Sequence, residues 1–264
     1  MSTPILDMMG FSGIRSENLK QEDRQKIAIV GEQKVGKSWF AATAPKPIRL
    51  YDFDDRAESL AGKEGLIIKS KPTVQEIETD LSIAKARIAN KQSVPATWVF
   101  DSITFMQSAV EKEFFRQYPD AARKVRVGGT TTISIRSGWD AINTIQGFME
   151  YIISEFSKIG NLIFVYHEKN EKDVAKSTPK ETKYTGEITV DPQYLAKTLS
   201  LFNEVYRITI DYSGKHLVQC KPNNEFKAAT TLLLDDNESP DLMAMIAKHQ
   251  AARAKLTTTT TTKG

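Results

Sequence analysis

The residues best equipped for chemistry stand together near the start of the chain, in Gly31-Glu32-Gln33-Lys34-Val35-Gly36-Lys37-Ser38. An apolar run precedes them and a helix-forming stretch continues from Trp39. Glycines at both ends let the backbone curl so that successive N–H groups point at phosphate oxygens. The helix start behind them adds a favourable partial charge. Lys37 brings a cation to β- and γ-phosphates, and Ser38 brings a hydroxyl to Mg²⁺. The expected nucleotide-binding segment is therefore Gly31 to Trp39.

Three other places carry groups that such a site needs. The apolar run Thr97-Trp98-Val99-Phe100 ends in Asp101, a carboxylate suited to hold the Mg²⁺ water shell, and Ser102 follows it. Asp52, Asp54 and Asp55 cluster where a strand leaves the sheet. Alternation puts Asp52 and Asp54 on one side of an extended chain and Asp55 on the other, and a carboxylate there can polarise an attacking water. His167 closes the apolar run that begins at Asn161. Ligands gather at the carboxyl ends of strands in open parallel sheets, so its imidazole is expected to contact the γ-phosphate and report its loss. Each has a plainer reading: a helix-capping aspartate, a solvated acidic turn and a structural histidine.

The elements that must position these groups are legible in the apolar spacing. Strands are expected at 26–31, 48–54, 66–69, 97–102 and 161–167. Helices are expected at 36–44, ended by Pro45-Lys46-Pro47, and at 103–118, 137–158 and 193–202. Another is expected at 73–91, where Val74, Ile77, Leu81, Ala84 and Ile88 keep a helical period. A hairpin over 204–221 turns at Ser213-Gly214, and a last helix over 239–256 starts from Ser239 as its cap. Strands alternating with helices give right-handed βαβ units and an α/β fold with a mainly parallel central sheet. The expected organisation is an N-terminal arm over 1–25, one domain over 26–256 and a disordered Thr-rich tail over 257–264.

Composition bounds the reading further. A chain of 264 residues, 40% hydrophobic and 26% charged, is an ordinary globular composition and can bury a sizeable core. A net charge of +3 leaves no global positive excess, so any nucleic-acid surface must be a local patch. The single cysteine, Cys220, excludes an intramolecular disulfide framework and favours a reducing compartment. His167, His216 and His249 are scattered, which argues against a histidine-rich metal centre. No apolar run reaches the length of a membrane span, and the first 25 residues lack a signal-peptide core. A soluble intracellular protein with no membrane partner is expected.

The order of phosphate loop, Asp54, Asp101 and His167, followed by a long polar segment, resembles the RecA-type ATPase core over about residues 26–235. It looks nearest to phage-encoded nucleotide-binding proteins of the single-strand annealing or recombination-mediating type. The resemblance implies a RecA-like P-loop NTPase core using ATP and Mg²⁺, with Lys37, Asp54, Asp101 and His167 catalytic and Ser38 and Asp101 at the metal. It also implies a cytoplasmic location in a phage-infected bacterial cell. Such proteins carry a glutamate where Asp54 stands and often a glutamine where His167 stands, and the shorter carboxylate implies slow hydrolysis. The absence of an N-K-x-D segment also favours ATP over GTP, since Asn170-Glu171-Lys172-Asp173 has the wrong order.

The same resemblance implies two DNA-facing loops. The first, 122–136, carries Arg123, Lys124, Arg126 and Arg136, which can meet phosphate oxygens. The second, 168–190, carries Lys176, Lys180 and Lys183 among balancing acids, with Tyr184 able to stack on a base. Implied partners are single-stranded DNA, a single-strand-binding protein and further copies of the chain in a ring or filament. In that assembly Lys227 or Lys197 acts in trans on a neighbour's nucleotide. Two other functions compete. A small-molecule P-loop kinase is disfavoured because its lid, 168–190, contains no arginine. A nucleotide-dependent scaffold with vestigial hydrolysis draws its support from Asp54.

Overall fold

Residues of strand β1 (Lys26–Gly31) are apolar on both sides, so the strand can only sit inside a sheet covered on both faces. The computed structural model describes residues 24–118, 122–127, 130–135, 138–172, 184–188, 198–223 and 226–261. Of the N-terminal arm expected over 1–25, residues 1–23 lie outside the described residues. After β1 come α1 (Lys37–Ala41), β2 (Ile48–Asp52), a 3-10 turn (Ala57–Leu60), β3 (Leu66–Ser70), α2 (Val74–Ala89), β4 (Thr97–Asp101) and α3 (Ile103–Gln117). Next are β5 (Ala122–Val127), β6 (Thr130–Ile135), α4 (Gly138–Ser157), β7 (Asn161–Lys172) and β8 (Tyr184–Ile188). The chain closes with β9 (Glu204–Ile210), β10 (His216–Gln219), β11 (Asn237–Glu238) and α5 (Leu242–Thr261).

The main sheet runs in the order β11-β10-β9-β1-β7-β4-β2-β3, and β8 pairs with β7. Strands β9, β1, β7, β4, β2 and β3 are mutually parallel, while β10 and β11 add an antiparallel edge. This is the α/β architecture with a mainly parallel central sheet expected from the sequence. The strand carrying Asp101 is not beside the strand carrying the phosphate loop, because β7 lies between them.

Strand alternation sorts the core into two layers. Ala28, Val30, Tyr51, Trp98, Phe100, Phe164 and Tyr166 pack with Ile77, Leu81, Ile103, Met106, Ile152 and Phe156 from α2, α3 and α4. Ile27, Ile29, Leu50, Val99, Ile163 and Val165 pack with Phe40 from α1 and with Leu242 and Met245 from α5. Phe100 and Phe156 meet edge-to-face at 5.3 Å, a geometry favoured by aromatic quadrupoles. Helix α2 starts at a capping box in which Thr73 and Glu76 satisfy each other's backbone N–H.

Several expectations are corrected. The segment 168–190, read as a loop from its polarity, includes a hairpin: Glu168↔Ile188 through Lys172↔Tyr184 form an antiparallel ladder. Backbone pairing needs no apolar side chains, so polarity alone did not exclude a strand. The first basic loop likewise contains the hairpin β5–β6, from Ala122↔Ile135 to Val127↔Thr130. The last helix is capped by Asp241, whose Oδ1 accepts from Ala244 N at 3.0 Å, not by Ser239. It runs to Thr261 and so takes in threonines assigned to the tail. Ile88 is 42% exposed, because the buried face of α2 ends at Ala84. The first half of the helix expected at 193–202, residues 193–197, lies outside the described residues.

Candidate phosphate-loop site

The loop between β1 and α1 depends on two glycines for different reasons. A Cβ on Gly31 would stand 2.7 Å from the Ile208 carbonyl oxygen and 3.0 Å from Val35 Cγ2, so only glycine fits against β9. Gly36 has φ +91°, a left-handed conformation that side chains disfavour. Lys34 also has positive φ, at 66°. His216 on β10 braces the loop: its Nδ1 lies 2.9 Å from the Val35 carbonyl oxygen. A carbonyl can only accept, so Nδ1 carries the proton in this bond.

Alternation and register then deliver the chemistry to one side. Val99, Leu50 and Val165 face α1, so Asp101, Asp52 and His167, each two residues further on, face it too. The parallel registers place Gly31 opposite His167, and Asp52 opposite Asp101. Ser38 Oγ donates a short hydrogen bond to Asp101 Oδ2, reaching past β7. Phe53 N donates to the Asp101 carbonyl at 2.7 Å, which ties the ends of β2 and β4. Asp52 Oδ2 accepts from Ala57 N at 2.8 Å and fixes the turn that carries Asp54.

The result is a cleft of about 660 Å³ lined by Gln33, Lys34, Gly36, Lys37, Ser38, Trp39, Asp52, Asp54, Arg56, Asp101 and His167, among others. That volume is in the usual range for small-molecule sites. Lys37 is buried, and its Nζ donates to the carbonyls of Gly31, at 2.9 Å, and Glu32. Burial lowers its pKa to about 8, against the pull of Asp101, Glu168, Asp54 and Glu32. Burial also raises Asp101, opposed by the Ser38 hydrogen bond and by Lys37.

Asp54 is raised to about 6, first by burial and then by a hydrogen bond with Asp52 and the charge of Asp101. Its Oδ2 lies 3.8 Å from both Arg56 Nε and His167 Nε2. His167 is lowered to about 4 by burial and by the cations Lys37 and Arg56, so it is neutral at pH 7. Asp55, by contrast, has φ 59° and turns away to pair with Lys71 at 2.6 Å and Ser70. Of the two carboxylates left open by the sequence, only Asp54 lines the cleft.

Two groups at the site escaped sequence reasoning. Arg56 carried a weak signal, its closeness to Asp54 in the chain. His216 carried none, because only the pairing of β9 with β1 and β10 brings it to the loop. Glu168, read among the acids of a loop, is buried beside the site and accepts from Arg207 Nε at 2.9 Å and Nη2 at 2.7 Å. Other expected residues are placed elsewhere or only in part. Lys227 is exposed, near the bridge between Val205 and Ala229. Arg123, Lys124 and Arg126 lie along β5, of which the backbone is described. Arg136, Lys176, Lys180, Lys183 and Lys197 lie outside the described residues.

The donor set fits Mg²⁺. Ser38 and Asp101 offer two hard oxygens, and Asp101 is only 7% exposed, so its charge calls for a cation. Among the described residues no group of three or more His, Cys, Asp or Glu forms a metal cage, so a cation here draws further ligands from phosphate and water. The loop fits a nucleotide's phosphates, since Gly31 lets it pack tightly against β9 and Gly36 supplies the left-handed turn that leads into Lys37 and Ser38.

A phosphate loop after a central parallel strand, with a strand-end carboxylate bound to its serine, defines the P-loop NTPase class. Within that class, the chain matches the AAA domain family over residues 23–232 and belongs to it. Among solved structures it is similar to the flagellar accessory protein FlaH from Methanocaldococcus jannaschii. The two are 12% identical, the match covers 81% of this chain and 83% of that one, and the TM-score is 0.36. No curated protein matches the chain significantly. Among the described residues no helix is long and apolar enough to cross a membrane.

Proposed function

We propose that this protein is a Mg²⁺-dependent ATPase that couples nucleotide state to single-stranded DNA held by its hairpins, in recombination or strand annealing. The observation that carries the reading is the continuity of β7. His167 lines the cleft, and the same strand runs on without a break to Lys172, forming one arm of the β7–β8 hairpin. A shift of His167 on loss of the γ-phosphate is thereby transmitted to that hairpin.

The chain's own groups divide the work. Ser38 and Asp101 hold Mg²⁺, which when bound supplies the charge that neutralises β- and γ-phosphate oxygens. Lys37 serves those oxygens as a cation. Asp54, mostly ionised above pH 6, accepts a proton from the attacking water and shares it with Asp52. His167 offers a neutral imidazole to the γ-phosphate. Arg123, Lys124, Arg126 and Arg136, with Lys176, Lys180 and Lys183, supply the contacts to DNA phosphates.

By the same reading the protein assembles into rings or filaments, with Lys227 or Lys197 acting on a neighbour. It works in the cytoplasm of a phage-infected bacterial cell, alongside a single-strand-binding protein. The test is single-stranded DNA binding and ATPase activity measured together at low salt. DNA is expected to stimulate turnover, and Arg123→Glu with Lys124→Glu and Arg126→Glu is expected to abolish binding while ATP affinity holds. No DNA binding by the unaltered protein would falsify the coupling. Phosphate transfer to a nucleoside or nucleotide acceptor would instead favour a kinase.

A further inference from the structure

Trp39 directly follows Ser38 and forms part of the cleft wall, yet it is 55% exposed. Single exposed aromatic residues are ordinary on protein surfaces. What distinguishes this one is its place in a polar cleft and the cation on its ring: Lys63 Nζ lies 3.0 Å from the ring centroid. A short turn carries Lys63 there. Gly62 and Gly65 both adopt left-handed backbone, with φ +79° and +74°. A Cβ on Gly65 would meet Lys46 Cδ at 2.7 Å, so the absence of a side chain lets the turn pack against Lys46. The segment therefore holds an ammonium over an indole at the rim of the phosphate cleft.

The phosphate loop accounts for the triphosphate end of a ligand, while the indole has no task there. A flat π-face beside the phosphates suits a nucleobase, because every base has a face that stacks on an aromatic ring. A two-ring purine covers more of an indole than a one-ring pyrimidine. The Lys63 ammonium over the same ring adds its own attraction to the π-system.

We propose that Trp39, braced by Lys63, is the platform on which the base of the bound nucleotide stacks, and that it makes the site select purine over pyrimidine triphosphates. The proposal rests on the reading of the cleft as a triphosphate site. The substrate class it names is the purine nucleoside triphosphates.

Equilibrium binding of ATP, GTP, CTP, UTP and inorganic tripolyphosphate, each with Mg²⁺, tests it on the full chain and on Trp39→Ala and Trp39→Phe. Thermal unfolding checks that both variants are folded. The unaltered protein is expected to bind the purine nucleotides about tenfold more tightly than the pyrimidine ones. Trp39→Ala is expected to lose about tenfold for ATP and GTP, to flatten the preference and to keep its tripolyphosphate affinity. Trp39→Phe is expected to keep most of the preference. ATP is expected to quench tryptophan emission where tripolyphosphate does not, and this response is expected to vanish in Trp39→Phe. Equal losses for ATP and tripolyphosphate in Trp39→Ala, or a purine preference that survives it, overturn the platform and leave the phosphate cleft standing. Failure of the unaltered protein to bind tripolyphosphate or any triphosphate overturns the cleft reading and the platform with it.

Discussion

Replacing Asp54 with asparagine separates what the residue costs the fold from what it does in the cleft. The carboxyl group titrates at about 6 in the folded protein, against 3.8 when unperturbed. The folded state therefore holds the proton more tightly than the unfolded one, and stability falls as pH rises from about 3.8 through about 6. Above that window the whole cost is present. A shift of this size corresponds to about 3 kcal/mol, reduced to about 2 kcal/mol by screening from the open cleft.

Asparagine keeps the shape and can donate an N–H where Asp54 shares a proton with Asp52, but it carries no charge. Asp54→Asn is thus expected to stabilise the protein at pH 8 by about 2 kcal/mol, or roughly 4–8 °C in melting temperature for a chain of this size. At pH 5 the gain is expected to be about half as large, because the carboxyl group is already mostly protonated there. Turnover is expected to fall about 10²–10⁴-fold with ATP affinity retained, the usual consequence of removing a general base. Melting curves at several pH values and a phosphate-release assay read both effects. A stability gain that does not change with pH, or a variant with full turnover, refutes the assignment of a desolvated base at this position.

Two further outcomes follow from the same geometry. Burial holds Lys37 at about 8 in the empty site, so ATP affinity is expected to decline as pH rises through 8, where binding must first protonate the amine; a titration flat from pH 7 to 9 contradicts this. Removing Glu168 leaves Arg207, whose side chain is 12% exposed, without its bidentate carboxylate. Glu168→Ala is expected to cost about 3 kcal/mol and lower the melting temperature by roughly 6–12 °C, with Glu168→Gln milder; a drop in Glu168→Ala below about 2 °C shows that the pair does not hold β7 to β9.

The chemistry and its sidedness were written in the sequence. Gly31, Gly36, Lys37 and Ser38 form a local unit whose spacing alone makes a phosphate cradle, and the apolar runs ending in Asp52, Asp101 and His167 are strands whatever their neighbours. Because alternation has a period of two, Asp52 and Asp54 had to share a side before any fold was known. What the sequence could not contain is the order of strands across the sheet. Backbone hydrogen bonds are much alike for any pair of apolar strands, and the order was decided by how helices pack on both faces. Only that packing inserted β7 between β1 and β4, brought Ser38 to Asp101 past His167, carried His216 to the back of the loop, and turned a polar stretch after His167 into a hairpin. The sequence determined which groups were available and which way they point along each strand. The tertiary structure decided which of them meet, because their contacts join strands far apart in the chain and depend on register between elements.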